Sequence, residues 1–264
     1  MATRSALINV MSRAADKAAR GLRRDFGEVE QLQVSVKGPG NFVSTADHRA
    51  EKILRQELQH GRPDYGFLME ESGASPGSDP EHRWIVDPLD GTTNFLHGLP
   101  HFCISIALER AGEIVAGVVL DPILDELFWA EKGFGAFLND RRLRVSSRRQ
   151  LSTALIATGT PYEEGESRAR YLRQWGAVMD SVADVRRMGA AALDLAYVAA
   201  GRFDGYWEYG LSPWDLAAGV LLVREAGGYV SDPEGGGDPL ASGNILAAND
   251  QLHPALLTAL AEVT

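Results

Sequence analysis

The spacing of apolar residues predicts two helices near the start of the chain. The first is indicated by apolar side chains that recur at helical intervals: Leu7, Met11, Ala14, Ala18 and Leu22. The second covers "ADHRAEKILRQEL", and Ser44 or Thr45 stands where a helix N-cap is expected. Two apolar runs, "YGFLMEE" and "RWIVDP", then read as buried strands that each end in carboxylates.

From residue 102 to residue 145 the pattern changes to short apolar strands separated by turn residues. The strands are "FCISIALER", "EIVAGVVLD", "ELFWAEK", "GAFLND" and "RLRV". Strands this short, with turns such as Ala-Gly and Asn-Asp between them, predict an antiparallel meander.

The second half of the chain alternates strands with helices. "ALIATGT" and "DVRRMG" are predicted strands around a helix at 167–182, and "FDGYWEY" follows the apolar helix "AAALDLAYVAAG". Ser212 and Pro213 are placed to begin another helix, "GYVSD" and "NILAAN" read as strands, and a last helix starts near Gln251. The mixture predicts a layered α/β or α+β fold. "SSRRQ" at 146–150 is the expected boundary between an N-terminal subdomain, 1–146, and a C-terminal one, 147–264.

Composition and charge narrow the classes of protein that are possible. The chain has 264 residues, 45% of them hydrophobic, and a formal net charge of −10, which argues against a nucleic-acid-binding surface. Its longest apolar runs are too short to span a membrane, and its N-terminus lacks the hydrophobic core of a signal peptide. The single cysteine, Cys103, cannot form an internal disulfide or a thiolate metal cluster. We therefore expect a cytoplasmic protein.

The stretch "WIVDPLDGTTNF", residues 84–95, carries the first candidate chemistry. Asp87 and Asp90 stand three residues apart just after an apolar strand. Taken alone, Asp-Pro-Leu-Asp-Gly is a respectable β-turn. However, Glu70 and Glu71 end the preceding predicted strand, and Asp215 sits at the start of a predicted helix. These carboxylates could meet at one edge of the sheet.

Gathered carboxylates repel each other unless protons or cations compensate their charge. A cluster of oxygen ligands suits Mg²⁺, whereas a zinc site is disfavoured because the chain cannot supply a thiolate cluster. Two Mg²⁺ ions about 3.5–4 Å apart can activate a water and stabilise a leaving oxygen. "GTTN", directly after Asp90, reads as a helix start whose backbone N–H groups could bind phosphate.

Three motifs, "MEES", "WIVDPLDGTTNF" and "PWDLAAGVLLVREAGG", resemble the signature motifs of the inositol monophosphatase family. "AALDLAYVAAGRFDGYWE" is similar to its bacterial branch in particular, and the likeness covers nearly the whole chain, including "KGPGNFVSTAD". The resemblance implies a five-layer αβαβα sandwich of the sugar-phosphatase type. It also implies a homodimer and inhibition by lithium.

The resemblance implies two or three Mg²⁺ ions. Glu70, Asp87 and the backbone carbonyl of Leu89 would hold the first ion, and Asp87, Asp90 and Asp215 the second. A third, weaker ion would lie between Glu70 and the substrate phosphate.

The resemblance also implies roles for other residues. Glu70 and Thr92 would orient the attacking water, and Asp47 would hydrogen-bond to Thr92. An ionised Glu208 would accept hydrogen bonds from polyol hydroxyls. The implied phosphate and substrate contacts are Gly91, Thr92, Thr93, Gly189, Ala190, Ala191, Glu208 and Asp215.

Some positions depart from the family's pattern or allow a second interpretation. Met69 stands where many relatives have a small or polar residue, and Asn41 stands where an acid is common. Lys37 matches a lysine near the metal-site loop but could equally be a solvated charge. His101 reads as a strand-edge residue, and Asp194 as a buried hydrogen-bonding acid.

The function that this resemblance implies is Mg²⁺-dependent hydrolysis of myo-inositol monophosphate by a metal-activated water. Phosphatases of fructose 1,6-bisphosphate, histidinol phosphate or 3′-phosphoadenosine nucleotides share the same metal chemistry and remain alternatives. Some bacterial relatives also bind the transcription machinery, which would be an added, non-catalytic role. We expect no direct contact with nucleic acid and no association with a membrane.

Overall fold

The computed structural model describes residues 4–28, 34–38, 41–161 and 165–262 of the chain. The side chains of residues 34–43 are outside this description. The predictions made for Lys37 and Asn41 therefore lie outside the described residues.

Helices account for eight of the elements in the described part of the chain. Their bounds are α1 Ala6–Phe26, α2 Thr45–Gly61, α3 Thr92–Leu96, α4 Glu166–Ser181, α5 Ala191–Ala199, α6 Pro213–Glu225, α7 Pro239–Ser242 and α8 Leu252–Ala261. A single 3-10 turn covers Leu151–Thr153.

The first half of the chain forms an antiparallel strand pair and an eight-stranded sheet. The pair is β1 Val34–Gly38 with β2 Asn41–Ser44. The strands of the sheet are β3 Tyr65–Met69, β4 Gly73–Ser75, β5 Asp79–Asp90, β6 Cys103–Arg110, β7 Glu113–Asp121, β8 Glu126–Glu131, β9 Gly135–Leu138 and β10 Arg141–Arg142. Their order is β10-β9-β8-β7-β6-β5-β3-β4, and only the β3–β5 pair is parallel. The run from β6 to β10 is the predicted antiparallel meander.

The second half of the chain forms a five-stranded mixed sheet. Its strands are β11 Leu155–Thr158, β12 Asp184–Arg186, β13 Gly205–Glu208, β14 Tyr229–Ser231 and β15 Ile245–Ala248. The order is β12-β11-β13-β15-β14, with β11 parallel to both β12 and β13 and the other pairs antiparallel.

The elements stack in five layers. Helices α1 and α2 pack on one face of the eight-stranded sheet, and α5 and α6 fill the space between the two sheets. Helices α4 and α8 cover the outer face of the five-stranded sheet. The αβαβα sandwich that the sequence resemblance implied is therefore confirmed.

Burial on both faces explains why the central strands read as continuous apolar runs. Side chains alternate between the faces of a strand. Trp84 and Val86 of β5 point into the core with α1 and α2, whereas Ile85 points into the core with α5 and α6. A strand with two buried faces has no position left for a solvated polar residue.

The predicted helix starts agree with the structure. Ser44 caps α2 and shares a capping box with Asp47, and Ser212 does the same for α6 with Asp215. The helix predicted at 167–182 is α4, Glu166–Ser181. The predicted strand "RLRV" overlaps β10 only at Arg142. The short elements β1, β2, β4 and α7 carry too few residues to show a period, and the sequence analysis did not predict them.

The two sheets are joined by the segment that contains the predicted boundary. β10 ends at Arg142 and β11 begins at Leu155. Because α5 and α6 belong to the second half of the chain but pack against the sheet of the first half, the division into 1–146 and 147–264 remains a proposal. None of the helices in the described ranges combines the length and apolar composition that a membrane span requires.

Candidate active site

A β-bulge at the end of β5 directs two carboxylates to one place. Asp87 pairs with Ser105 and Asp90 with Cys103, so two residues of β5 face a single residue of β6 between these pairs. Residues three apart on a regular strand point to opposite faces, and the extra residue reverses that relation. The N–H of Leu89 donates to Asp87 Oδ1 at 2.8 Å and stabilises the turn.

Asp215 completes a group of three carboxylates. One oxygen each from Asp87, Asp90 and Asp215 lies within 4.8 Å of the others. Asp215 is held at the start of α6, where it accepts the N–H of Ser212 at 2.7 Å. Glu70 follows β3 and donates its N–H to Val86 at the bulged end of β5. Its side chain lies outside the group of three but lines the same cavity.

Burial and mutual repulsion determine the charge of these carboxylates. Burial raises the pKa of Asp87 well above its usual range, and the charges of Glu70, Asp90 and Asp215 raise it further. Burial also raises the pKa of Asp90 to about 7, although the N–H of Ala192 donates to its Oδ2 at 2.7 Å. The pKa of Asp215 is raised by burial and then by Asp90. Protons or cations must therefore compensate the cluster, and oxygen ligands of this kind fit a hard divalent ion.

The chain turns sharply after Asp90 to begin α3. Gly91 has φ +93°, and a Cβ there would lie 3.0 Å from the carbonyl oxygen of His101, so only glycine fits without strain. Gly91 has no side chain with which to cap α3, and Thr92 and Thr93 at the start of the helix line the cavity. Backbone N–H groups at a helix start are suited to phosphate oxygens.

The Thr92 hydroxyl lies between two acceptors. Thr92 Oγ1 is 3.0 Å from Asp47 Oδ1 and 3.0 Å from the carbonyl oxygen of Leu89. Asp47 is fully buried, and its Oδ2 accepts the N–H and the hydroxyl of Ser44 at 2.8 and 2.6 Å. Because its one proton goes to an acceptor, Thr92 Oγ1 keeps lone pairs with which it can accept a hydrogen bond from a water.

The cavity that joins these groups has a volume of about 220 Å³. Eleven of the predicted site residues line it: Glu70, Asp87, Leu89, Asp90, Gly91, Thr92, Thr93, Gly189, Ala191, Glu208 and Asp215. Two do not. Asp47 reaches the cavity only through Thr92, and Ala190 is buried with its Cβ 3.2 Å from where a Gly91 side chain would begin. Ala190 thus contributes packing at this point, whereas its neighbours Gly189 and Ala191 face the cavity.

Glu208 ends β13 at the wall of the cavity. Its carboxyl group accepts the Tyr206 hydroxyl and packs so tightly on Gly159 that a Cβ at Gly159 would overlap it. Burial raises the pKa of Glu208 to about 8, although the hydrogen bond from Tyr206 lowers it.

Several lining residues were not predicted from the sequence: Arg187, Gly210, Leu211, Ser212 and Trp214. Arg187 is a cation among carboxylates, and the paired arginines of "DVRRMG", just before Gly189, were the available signal. Asn94, within the recognised motif, also has a structural role. Its Nδ2 donates to the carbonyls of His101 and Met188 at 2.7 and 2.8 Å, which ties α3 to the segment before α5.

His101 and Asp194 form a buried pair beside the site. His101 Nε2 lies 3.1 Å from Asp194 Oδ1. Burial lowers the pKa of His101 and raises that of Asp194 well above its usual range. The prediction that Asp194 is a buried hydrogen-bonding acid agrees with this contact, whereas the prediction that His101 sits at a strand edge missed its burial.

Comparison with known proteins is consistent over the whole chain. Residues 3–264 match the model of the inositol monophosphatase family. The chain is 61% identical over 253 residues to an inositol-1-monophosphatase of Rhizobium meliloti, covering 96% of this chain and 95% of that protein. It is 45% identical over 251 residues to Nus factor SuhB of Escherichia coli K12, covering 95% of this chain and 94% of that protein.

A solved structure also matches nearly the whole chain. The crystal structure of extragenic suppressor protein suhB from Bartonella henselae has a TM-score of 0.95 and 58% sequence identity, covering 97% of this chain and 98% of that chain. With its motifs, its five layers and its carboxylate cluster in agreement, this chain belongs to the inositol monophosphatase family.

Proposed function

We propose that this protein hydrolyses small phosphate monoesters with Mg²⁺, and that its principal substrate is myo-inositol monophosphate. The observation that carries the proposal is the meeting of Asp87, Asp90 and Asp215 directly beside the start of α3. A divalent-cation site and a phosphate site are thereby adjacent within one cavity. The family and the inositol-1-monophosphatase relative at 61% identity support the choice of substrate.

Two overlapping sets of ligands would hold the first and second ions. Glu70, Asp87 and the Leu89 carbonyl form one set, and Asp87, Asp90 and Asp215 form the other. When bound, Mg²⁺ lowers the pKa of a water and neutralises charge that develops on the phosphate and the leaving oxygen. A third ion, between Glu70 and the phosphate, belongs to the same proposal.

The remaining residues orient the reactants. The Thr92 hydroxyl, which donates to Asp47 or Leu89, accepts a hydrogen bond from the attacking water and aims its lone pair at phosphorus. Glu70 accepts the water's second hydrogen bond. The N–H groups of Gly91, Thr92 and Thr93 donate to phosphate oxygens.

The leaving group lies toward the other wall of the cavity. Glu208 exchanges hydrogen bonds with polyol hydroxyls, and the backbone at Gly189 and Ala191 supports the ring. Ala190 holds this backbone in place from within the core.

A phosphate-release screen tests the proposal. Purified protein is incubated with a set of small phosphate esters, in the presence of Mg²⁺ or of EDTA. The set includes inositol monophosphate, fructose 1,6-bisphosphate, histidinol phosphate and a 3′-phosphoadenosine nucleotide. We expect the highest kcat/KM for inositol monophosphate and no release with EDTA. A higher kcat/KM for one of the other esters would reassign the substrate, and release without divalent ions would contradict the mechanism.

Three finer properties belong to the same proposal. The protein acts in the cytoplasm, forms a homodimer, and is inhibited by lithium, which takes the place of the second ion. Their support is the family resemblance, and the single buried Cys103 suits a reducing compartment.

A second role in binding the transcription machinery is favoured by one observation. A relative at 45% identity is named Nus factor SuhB. Binding of this kind would not require hydrolysis. A pull-down with Asp215→Asn protein as bait should then capture the same partners as the parent, whereas loss of capture with the metal ligand would count against a separate role.

A further inference from the structure

The cavity contains one cationic side chain among the described residues that line it. Its acidic groups are Glu70, Asp87, Asp90, Glu208 and Asp215. The cation is Arg187, which follows β12 and precedes Gly189. The proposed metal site and phosphate site make no use of it.

The Arg187 side chain is held in a defined direction. Its Nε–H donates to Thr160 Oγ1 at 3.2 Å. Gly189 has φ +87°, and a Cβ there would lie 2.6 Å from Arg187 Nη1, so the guanidinium lies against the Gly189 backbone. Thr160 uses one of the five N–H donors of the guanidinium, and in the described part of the chain no carboxylate forms an ion pair with it. Donors therefore remain for a ligand.

Arg187 lies at the leaving-group end of the cavity. Its positive charge lowers the pKa of Glu208 and of Asp194, which opposes the effect of burial on both groups. Glu208 and Gly189 are residues that the proposed function assigns to the leaving group. The guanidinium is therefore placed beside the part of the substrate that departs.

We propose that Arg187 is a specificity-determining residue that binds a second phosphate, carried by the leaving group of the substrate. A guanidinium offers parallel N–H donors that match two phosphate oxygens, and a charge-assisted pair of this kind is roughly twice as strong as a neutral hydrogen bond. A neutral polyol leaves those donors to water. The substrate class thus includes sugar bisphosphates, an extension that rests on the proposed function.

The test compares two substrates that share one scissile phosphate. Fructose 1-phosphate and fructose 1,6-bisphosphate are assayed with Mg²⁺, and fructose or fructose 6-phosphate is measured as the product. The parent should have a kcat/KM for the bisphosphate at least equal to that for the monophosphate. Arg187→Gln should lower the bisphosphate-to-monophosphate ratio by about tenfold or more, the usual effect of losing a charge-assisted pair. Arg187→Lys should recover part of that loss.

Arg186→Gln is the matched control. It removes the same charge one residue earlier, where the guanidinium pairs with Asp184 at 2.6 Å and does not line the cavity. Its ratio should equal that of the parent. Thr160→Val, which removes the acceptor for Nε–H, should lower the ratio in the same direction as Arg187→Gln, by a smaller factor.

Calorimetry with Ca²⁺ in place of Mg²⁺ measures the affinity for both esters without relying on hydrolysis. Here too, Arg187→Gln should weaken binding of the bisphosphate by about tenfold more than binding of the monophosphate. An unchanged ratio in Arg187→Gln, an equal fall in Arg186→Gln, or a parent that discriminates against the bisphosphate would overturn the inference. Absence of hydrolysis with selective binding intact would overturn the proposed function instead.

Discussion

Glu208 is a carboxyl group whose charge is determined by its surroundings. The Tyr206 hydroxyl donates to it, the Gly159 backbone presses against it, and burial raises its pKa to about 8. At pH 7 it is therefore mostly a neutral acid, which can donate one hydrogen bond and still accept others. Above pH 8 it becomes an acceptor only.

Glu208→Gln should consequently have an effect that depends on pH. Glutamine resembles the neutral acid, so the ratio of kcat/KM for inositol monophosphate to that for an aryl phosphate should change by less than about threefold at pH 7. At about pH 9, where the parent is ionised, the two proteins should differ by about tenfold. If the ratio in Glu208→Gln differs from that of the parent by the same factor at both pH values, Glu208 is ionised throughout.

Sequence reasoning predicted a substrate contact at Glu208, which lines the cavity, but could not give the protonation state of its carboxyl group. It treated the group as ionised because glutamate is ordinarily ionised at neutral pH. The burial that alters this depends on the fold, which packs the carboxyl group against Gly159, 49 residues away in the sequence. Arg187 was missed for a related reason, since the sequence does not distinguish an exposed arginine that lines a cavity from any other exposed arginine.

Three elements bring the carboxylates together at an energetic cost. The bulge of β5 supplies Asp87 and Asp90, and the capping box at the start of α6 supplies Asp215. The first turn of α5 contributes the N–H of Ala192 to Asp90. Without cations, the buried charges of the cluster oppose folding, and their raised pKa values are the measure of that opposition.

The metal-free protein should lose stability as pH rises from about 4 to about 7. The folded chain keeps a proton on Asp90 up to about pH 7, whereas the unfolded chain releases it near the ordinary aspartate pKa of 3.8. The folded state thus binds more protons between these values, so the free energy of unfolding falls as pH rises from about 4 to about 7. Asp87 and Asp215, whose pKa values are also raised, add to the fall.

Thermal unfolding with EDTA and with excess Mg²⁺ checks this expectation. Tm should decrease from about pH 5 to about pH 8 with EDTA, and Mg²⁺ should raise Tm more at the higher pH, because the ion replaces protons. Asp90→Asn keeps an acceptor for the Ala192 N–H and should show a shallower decrease. A Tm that rises with pH in EDTA would contradict the account of the cluster.

At the scale of the whole molecule, the five layers determine where the site lies. Its residues come from the ends of β3, β5 and β13 and from the starts of α3, α5 and α6, so both sheets and the helices between them contribute. The order of the longer helices and strands was predictable because their apolar periods are clear and Ser44 and Ser212 mark helix starts. The sequence did not predict which strands distant along the chain pair with each other, as β13 does with β15. The division of the chain at 146–150 remains a proposal, because α5 and α6 of the second half pack against the sheet of the first half.

The central claim is that the three clustered aspartates hold Mg²⁺ required for ester hydrolysis, and Asp215→Asn tests it most directly. Asparagine keeps an oxygen for the Ser212 N–H but removes the charge that faces the ion. Asp204→Asn is the control, because Asp204 is buried at the far end of β13 and accepts the N–H of Leu155.

The measurement is kcat for inositol monophosphate, together with Mg²⁺ affinity by calorimetry, in folded variants of equal circular dichroism. Asp215→Asn should lower kcat by roughly 10³-fold or more and weaken Mg²⁺ binding, whereas Asp204→Asn should remain near the parent. Near-parent turnover and Mg²⁺ affinity in Asp215→Asn would contradict the account.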